Sequence, residues 1–157
     1  MNLSKREKTK YILFFIILVV IALTIRSYMV VDDSMTPAYK NGSKVITMKL
    51  PEILIPHDSV VIIKNTKRSL IDDKTLIKRL VGKSGDTISI KDGKLIVNNK
   101  VIDKIDNVDK KEFIIPKNHI YVIGDNTSYS IDSRDFGSVR SSSIKGVVIF
   151  PLQGRDK

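Results

Sequence analysis

From Tyr11 to Ile25 the chain carries no charge, reading YILFFIILVVIALTI. A block that is bulky and apolar on every side has no polar face to turn toward water, so it must be covered by protein or by lipid. A buried core helix is rarely so uniformly apolar. As a helix the block runs about 22 Å, against roughly 30 Å for a hydrocarbon core. Apolar residues resume after Arg26, through Tyr28, Met29, Val30 and Val31, and Arg26 can snorkel toward headgroups. The expected transmembrane helix is therefore 11–29. A cleavable secretory signal would carry small residues in an Ala-x-Ala pattern, and the stretch after Ile25 has none. Lys5, Arg6, Lys8 and Lys10 crowd the leading flank against the single acid Glu7. The positive-inside tendency makes 1–10 a cytoplasmic tail and puts 30–157 outside the cell membrane, as a single-pass protein.

Composition narrows what the rest can be. The apolar share of 42% is ordinary but concentrated in this block, and the remainder of the chain has the mixed character of a soluble fold. About 125 residues can bury a core without staples. Cysteine is absent, which removes disulfide frameworks, zinc–thiolate sites and thiol nucleophiles together. Two histidines, His57 and His119, are too few for a His-rich metal site, and neither a metal nor a cofactor is expected. The formal charge of +10 raises the question of nucleic acid, but the lysines are scattered and no nucleic-acid motif is present. An anionic membrane surface or a plain lysine-rich face accounts for the charge.

Beyond the anchor, short β-branched runs recur between turn formers. They are 44–48, 59–63, 87–90, 95–97, 119–123 and 146–150. Asp92-Gly93 and Asn98-Asn99 fall between runs as hairpin turns, so 87–102 reads as a small meander. The expected fold class is mainly β: a compact antiparallel β domain with a small β-hairpin extension, behind one N-terminal transmembrane helix.

Three clusters carry candidate chemistry. Asp33-Ser34-Met35-Thr36-Pro37 lies just past the block, and on its own is an ordinary turn. In 76–80, strand alternation puts Leu76, Lys78 and Leu80 on one face, with Ile77, Arg79 and Val81 on the other. A lysine among apolar neighbours loses solvation of its ammonium, so its pKa falls and the amine can serve as a base. Arg79 stays protonated and cannot. The third cluster is Gly124-Asp125-Asn126, followed by Ser130, Asp132, Ser133 and Arg134. By itself it reads as a polar loop with a local Asp132–Arg134 ion pair.

Taken in order, Ser-Met-x-Pro, then Lys-Arg-Leu-x-Gly-x-x-Gly-Asp, then Gly-Asp-Asn-x-x-x-Ser-x-Asp-Ser-Arg resembles the type I signal peptidase family in its short Gram-positive form. Asp58-Ser59-Val60-Val61 resembles a degenerate further box of that family. The resemblance runs from the anchor to about Pro151. It implies a membrane-anchored serine endopeptidase that removes signal peptides from secretory preproteins at the outer membrane surface. Ser34 would be the nucleophile and Lys78 its base. Ser130 would orient the lysine amine, and Asp132 and Arg134 would hold that segment. The Ser34 backbone N–H would supply one oxyanion-hole donor, and Asp32 is the candidate for the second. The partners implied are preproteins with small residues before the cut, the lipid bilayer, and a nearby secretion translocon.

Three positions depart from the family pattern. Asp32 stands where Ser or Gly is usual, Ser84 where Pro is usual, and His57 where Gly is usual. A carboxylate beside a developing oxyanion is unfavourable, so Asp32 is expected to point away, to be protonated, or to offer only its backbone N–H. Both histidines are read as non-catalytic, which disfavours a Ser-His-Asp hydrolase. A self-cleaving repressor shares the Ser/Lys dyad but needs a DNA-binding domain and a cytosolic location. The alternative outside catalysis is a silent, membrane-tethered family member serving surface (pilus) assembly, which should lack the nucleophile or the base.

Overall fold

The computed structural model describes residues 4–64, 75–104 and 110–151. Helix α1 (Lys5–Thr24) opens with a capping box, in which Ser4 accepts from the Glu7 N–H and Glu7 returns the bond to the Ser4 N–H. None of its residues is buried. The helix stops at Thr24, five residues short of the expected Met29, and Ile25–Met29 form strand β1 instead. The cause is pairing: β1 lies antiparallel along β2 (Lys44–Met48), from Ile25 opposite Met48 to Met29 opposite Lys44. With six polar residues in its first turns, α1 keeps an apolar length of about 21 Å. Among the described residues no helix is long and apolar enough to cross a membrane.

The remaining strands are β3 (Val60–Lys64), β4 (Thr75–Gly82), β5 (Thr87–Lys91), β6 (Lys94–Val97), β7 (Lys100–Lys104), β8 (Lys110–Ile114), β9 (His119–Ile123), β10 (Val139–Arg140) and β11 (Ile144–Phe150). A one-turn helix α2 (Ser133–Phe136) precedes β10. Seven strands form one sheet in the order β1-β2-β11-β3-β4-β9-β10, and four form a second in the order β7-β6-β5-β8. Every pairing is antiparallel. The mainly β expectation holds. The extension is larger than a hairpin, because β8 adds a fourth strand beside β5. The two turns behave as their residues require: Asp92 and Gly93 have φ of 51° and 66°, Asn98 and Asn99 of 48° and 65°. Positive φ at both central positions is the turn that matches strand twist, and Asn, Asp and Gly tolerate it. The expected domain end at Lys157 lies outside the described residues.

Alternation sorts the apolar residues into three cores. On one face of the large sheet, Val61, Ile63, Leu80, Ile120, Val122 and Val147 pack together, with Leu76 against them. On the other face, Val30, Met35, Tyr39, Val45, Val60, Ile62 and Ile77 form a second cluster. Val81, Tyr121 and Ile123 meet the small sheet through Ile88, Ile90, Leu95 and Val97. The segment between β1 and β2 thus lies over the large sheet, anchored by buried Met35 and Tyr39, and this seats Ser34.

Candidate active site

Ser34 and Lys78, 44 residues apart in sequence, meet: Lys78 Nζ donates to Ser34 Oγ at 2.7 Å. Both side chains are buried, at 3% and 2% exposure. Lys78 is in the middle of β4, opposite Val61 of β3. Its sequence neighbours on that face, Leu76 and Leu80, belong to the same core as Val61, as alternation required. Burial pushes the Lys78 ammonium down from the ordinary lysine value. Asp32, Asp132 and Asp125 work against that by favouring the cation, while Arg134 adds to the lowering.

The Ser34 turn is tied to the end of β9. The Asn126 N–H donates to the Ser34 carbonyl at 3.0 Å, and Asn126 Nδ2 to the Asp33 carbonyl at 3.1 Å. Gly124 makes this approach possible. A Cβ there would lie 2.5 Å from the Ser34 carbonyl oxygen and 2.5 Å from Ser130 Cβ. Asp125 is taken up by Arg79, which points to the opposite face from Lys78. Arg79 Nε and one terminal nitrogen reach the Asp125 carboxylate at 2.7 and 2.6 Å, and its other nitrogen donates to the Asp58 carbonyl at 2.8 Å. Gly124, Asp125 and Asn126 were visible in sequence only as a motif. Their separate jobs became clear from which neighbour each one meets.

The third cluster closes over the site. Asp132 is fully buried and accepts from the Gly124 N–H at 2.9 Å, as well as from Arg134 Nε at 2.9 Å and a terminal Arg134 nitrogen at 2.9 Å. It also caps α2 through the Arg134 N–H. The expected Asp132–Arg134 pair is therefore present. Ser130 departs from expectation. Its hydroxyl oxygen is buried over Gly124 without a hydrogen-bond partner, so the expected bond to Lys78 is not formed. Arg134 grips this segment through the Ser130 carbonyl, at 3.1 Å, and leaves the hydroxyl unused.

The expected oxyanion donors need a second correction. The Ser34 N–H is not open to a substrate: it donates to Asp32 Oδ1 at 2.8 Å. Asp32 neither points away nor offers only its backbone. A carboxylate two residues before an N–H closes a local turn with it, and the Asp32 backbone accommodates this at φ 91°. Beside Ser34 a cleft of about 80 Å³ is lined by residues 28–32, Val45, Ile62 and 75–78. The two histidines are engaged elsewhere. His57 Nε2 pairs with Asp86 at 2.7 Å, and His119 Nδ1 lies 3.0 Å from the Lys117 carbonyl. Ser84, the third departure, donates to the His119 carbonyl at 3.3 Å. Among the described residues no group of acidic and His side chains could hold a metal.

The arrangement places a serine hydroxyl against a buried lysine amine, and comparison with known proteins gives the family. Signal peptidase I V of Bacillus subtilis (strain 168) is 29% identical over 168 residues, covering 90% of this chain and 97% of that protein. Signal peptidase I S of the same organism is 30% identical over 158 residues, covering 85% and 83%. Thylakoidal processing peptidase 1 of Arabidopsis thaliana is 28% identical over 134 residues, which is 76% of this chain and 39% of that longer protein. The family model described as signal peptidase, peptidase S26, matches residues 5–153. With nearly its whole length matched, this chain belongs to the signal peptidase family, peptidase S26.

Proposed function

We propose that this chain is a membrane-anchored serine endopeptidase that cleaves signal peptides from secretory preproteins through a Ser34–Lys78 dyad. The observation that carries the reading is the 2.7 Å contact between Lys78 Nζ and Ser34 Oγ in a buried setting. In its neutral form Lys78 takes the Ser34 proton as Oγ attacks the scissile carbonyl, which gives a tetrahedral oxyanion and then an acyl-enzyme. The same amine protonates the departing amine and next deprotonates the water that releases the acyl group. Burial of Lys78 shifts it toward the neutral amine that this role requires. Asp132 and Arg134 fix the wall behind the dyad through Gly124 and the Ser130 carbonyl. The Ser34 N–H is the donor to the oxyanion once it is free.

The substrate lies extended in the cleft beside Ser34, whose small volume suits small side chains before the cut. α1 is the anchor. It is exposed along its length, and Lys5, Arg6, Lys8 and Lys10 mark its cytoplasmic end. Its apolar stretch is shorter than a hydrocarbon core, a mismatch met by snorkelling lysines and local thinning. The domain then stands at the outer surface, where preproteins emerge from the translocon.

The test is cleavage of a preprotein by the detergent-purified full chain, beside Ser34→Ala and Lys78→Ala. Each substitution should abolish processing while leaving the circular dichroism spectrum unchanged. Substantial cleavage by either variant would sink the dyad.

A further inference from the structure

We propose that Asp32 is a built-in plug: its carboxylate holds the Ser34 N–H until a substrate carbonyl displaces it. The inference rests on the dyad reading above and concerns what the same site does at rest.

The geometry is specific. Ser34 Oγ is already engaged by Lys78 at 2.7 Å, so nucleophile and base are in place. The N–H of the same residue, the donor for a negative oxygen, is occupied at 2.8 Å by an oxygen of Asp32. A carboxylate oxygen imitates the charge and the hydrogen-bond demand of an oxyanion. The resting site therefore contains its own competitor. Asp32 holds this position at φ 91°, where glycine sits freely and a residue with a Cβ rarely does. The main chain is already shaped for a residue with no side chain, and the carboxylate is an addition to it.

Asp32 also acts on the base. The groups bearing on Lys78 come from three segments: Asp32 from the turn after β1, Asp125 from the loop after β9, and Asp132 and Arg134 at the start of α2. After burial, Asp32 is the largest of these influences, and it favours the ammonium. With the carboxylate in place, the oxyanion donor is taken and the amine is biased toward its protonated form. A substrate carbonyl arriving at the Ser34 N–H displaces the carboxylate, and rotation about the Asp32 side-chain bonds takes the charge away from the amine. One displacement thus opens the donor and frees the base.

Two variants separate these effects. Asp32→Gly removes both carboxylate and strain and is compatible with the observed φ, so it should fold. Asp32→Asn keeps an acceptor for the Ser34 N–H and removes only the charge. The full chain in detergent is assayed on a synthetic peptide spanning an Ala-x-Ala signal-peptide cleavage site, across pH, with Ser34→Ala alongside. Asp32→Gly should raise kcat/KM about tenfold to a hundredfold, chiefly by lowering KM, the equilibrium weight of a hydrogen bond to a charged acceptor that the substrate no longer has to displace. Asp32→Asn should gain less. In both, the limb on which kcat/KM rises with pH should move down, because the free enzyme's amine loses a neighbour that favours its ammonium form. A kcat/KM for D32G no higher than that of the native chain at any pH overturns the plug. Equal rates for D32G and D32N overturn the claim that the donor is blocked. Cleavage that survives in Ser34→Ala defeats the dyad reading instead. Exchange of the Ser34 amide with solvent, followed by NMR, reads the plug without turnover. It should be slow in the native chain and faster in D32G, and equal exchange overturns the proposal even if the peptide is not cut.

Discussion

Replacing Gly124 with alanine should damage the site by geometry alone, with no change in charge or hydrogen-bonding groups. The added Cβ would lie 2.5 Å from the Ser34 carbonyl oxygen and 2.5 Å from Ser130 Cβ, where ordinary contact begins at 3.4 Å. The deficit is about 0.9 Å on two sides, and one side is main chain that cannot rotate away. Gly124 itself is held by Asp132 through its N–H, so the Ser34 turn has to give. Overpacking of this kind costs about 1–3 kcal/mol in stability. The larger effect is on rate, because a displacement of about 1 Å at reacting atoms costs on the order of a hundredfold. Gly124→Ala should therefore fold, lose about 1–3 kcal/mol in urea denaturation, and fall about a hundredfold in kcat/KM on a signal-peptide substrate. Adding Ser130→Gly clears only one of the two obstacles, so the double variant should recover stability more than rate. If Gly124→Ala cleaves within twofold of the native chain at unchanged stability, the close approach of Ser34 to the end of β9 is not what positions the nucleophile.

Two further outcomes stem from the burial of charged groups. Lys78→Met keeps the volume of the side chain and removes the ammonium. Because burial lowers the folded-state pKa of Lys78, the unfolded chain binds the extra proton between that lowered value and the ordinary one near 10.5. Native stability therefore rises with pH across that window, and below it the charged amine is a liability. Lys78→Met should be inactive yet more resistant to urea than the native chain at the low-pH end, with the gain shrinking as pH rises. Equal denaturation midpoints at all pH values would show that the amine is not desolvated. Arg79→Met leaves the Asp125 carboxylate buried with both of its Arg79 bonds gone. A cost of about 3–5 kcal/mol is expected, read as a shift in denaturation midpoint. A change under about 1 kcal/mol would mean that Asp125 finds water.

Much of this was legible in residue order. The β-branched runs became strands at nearly the expected bounds, and Asp92-Gly93 and Asn98-Asn99 turned where φ had to be positive. Lys78 lay beside the leucine-bearing core because alternation is a property of any strand. Ile25–Met29 misled, since an apolar run carries the same signal in lipid as in a sheet, and only the partner strand β2 decides. Lys110–Ile114 was missed for the opposite reason: its lysines and glutamate hide the period. Ser130 and Asp32 could not have been read correctly from type and spacing. Each offers more than one oxygen, and residue type does not say which of them a close neighbour will take. For Ser130 the carbonyl was taken and the hydroxyl left over. For Asp32 the carboxylate turned inward.

The junction of α1 and β1 has a mechanical meaning for the cleavage reaction. The Lys49 N–H donates to the Thr24 carbonyl at 3.0 Å, and the next residue is already paired in the sheet. There is no slack between helix and domain. Ten residues lead from Thr24 to Ser34, five of them locked in an edge strand of about 17 Å. If the helix is fixed in the bilayer, the nucleophile is held at a set height above it, like the blade of a depth gauge. The scissile bond would then be selected partly by how far it stands from the lipid, and lengthening this junction would move the cut before it weakened the chemistry.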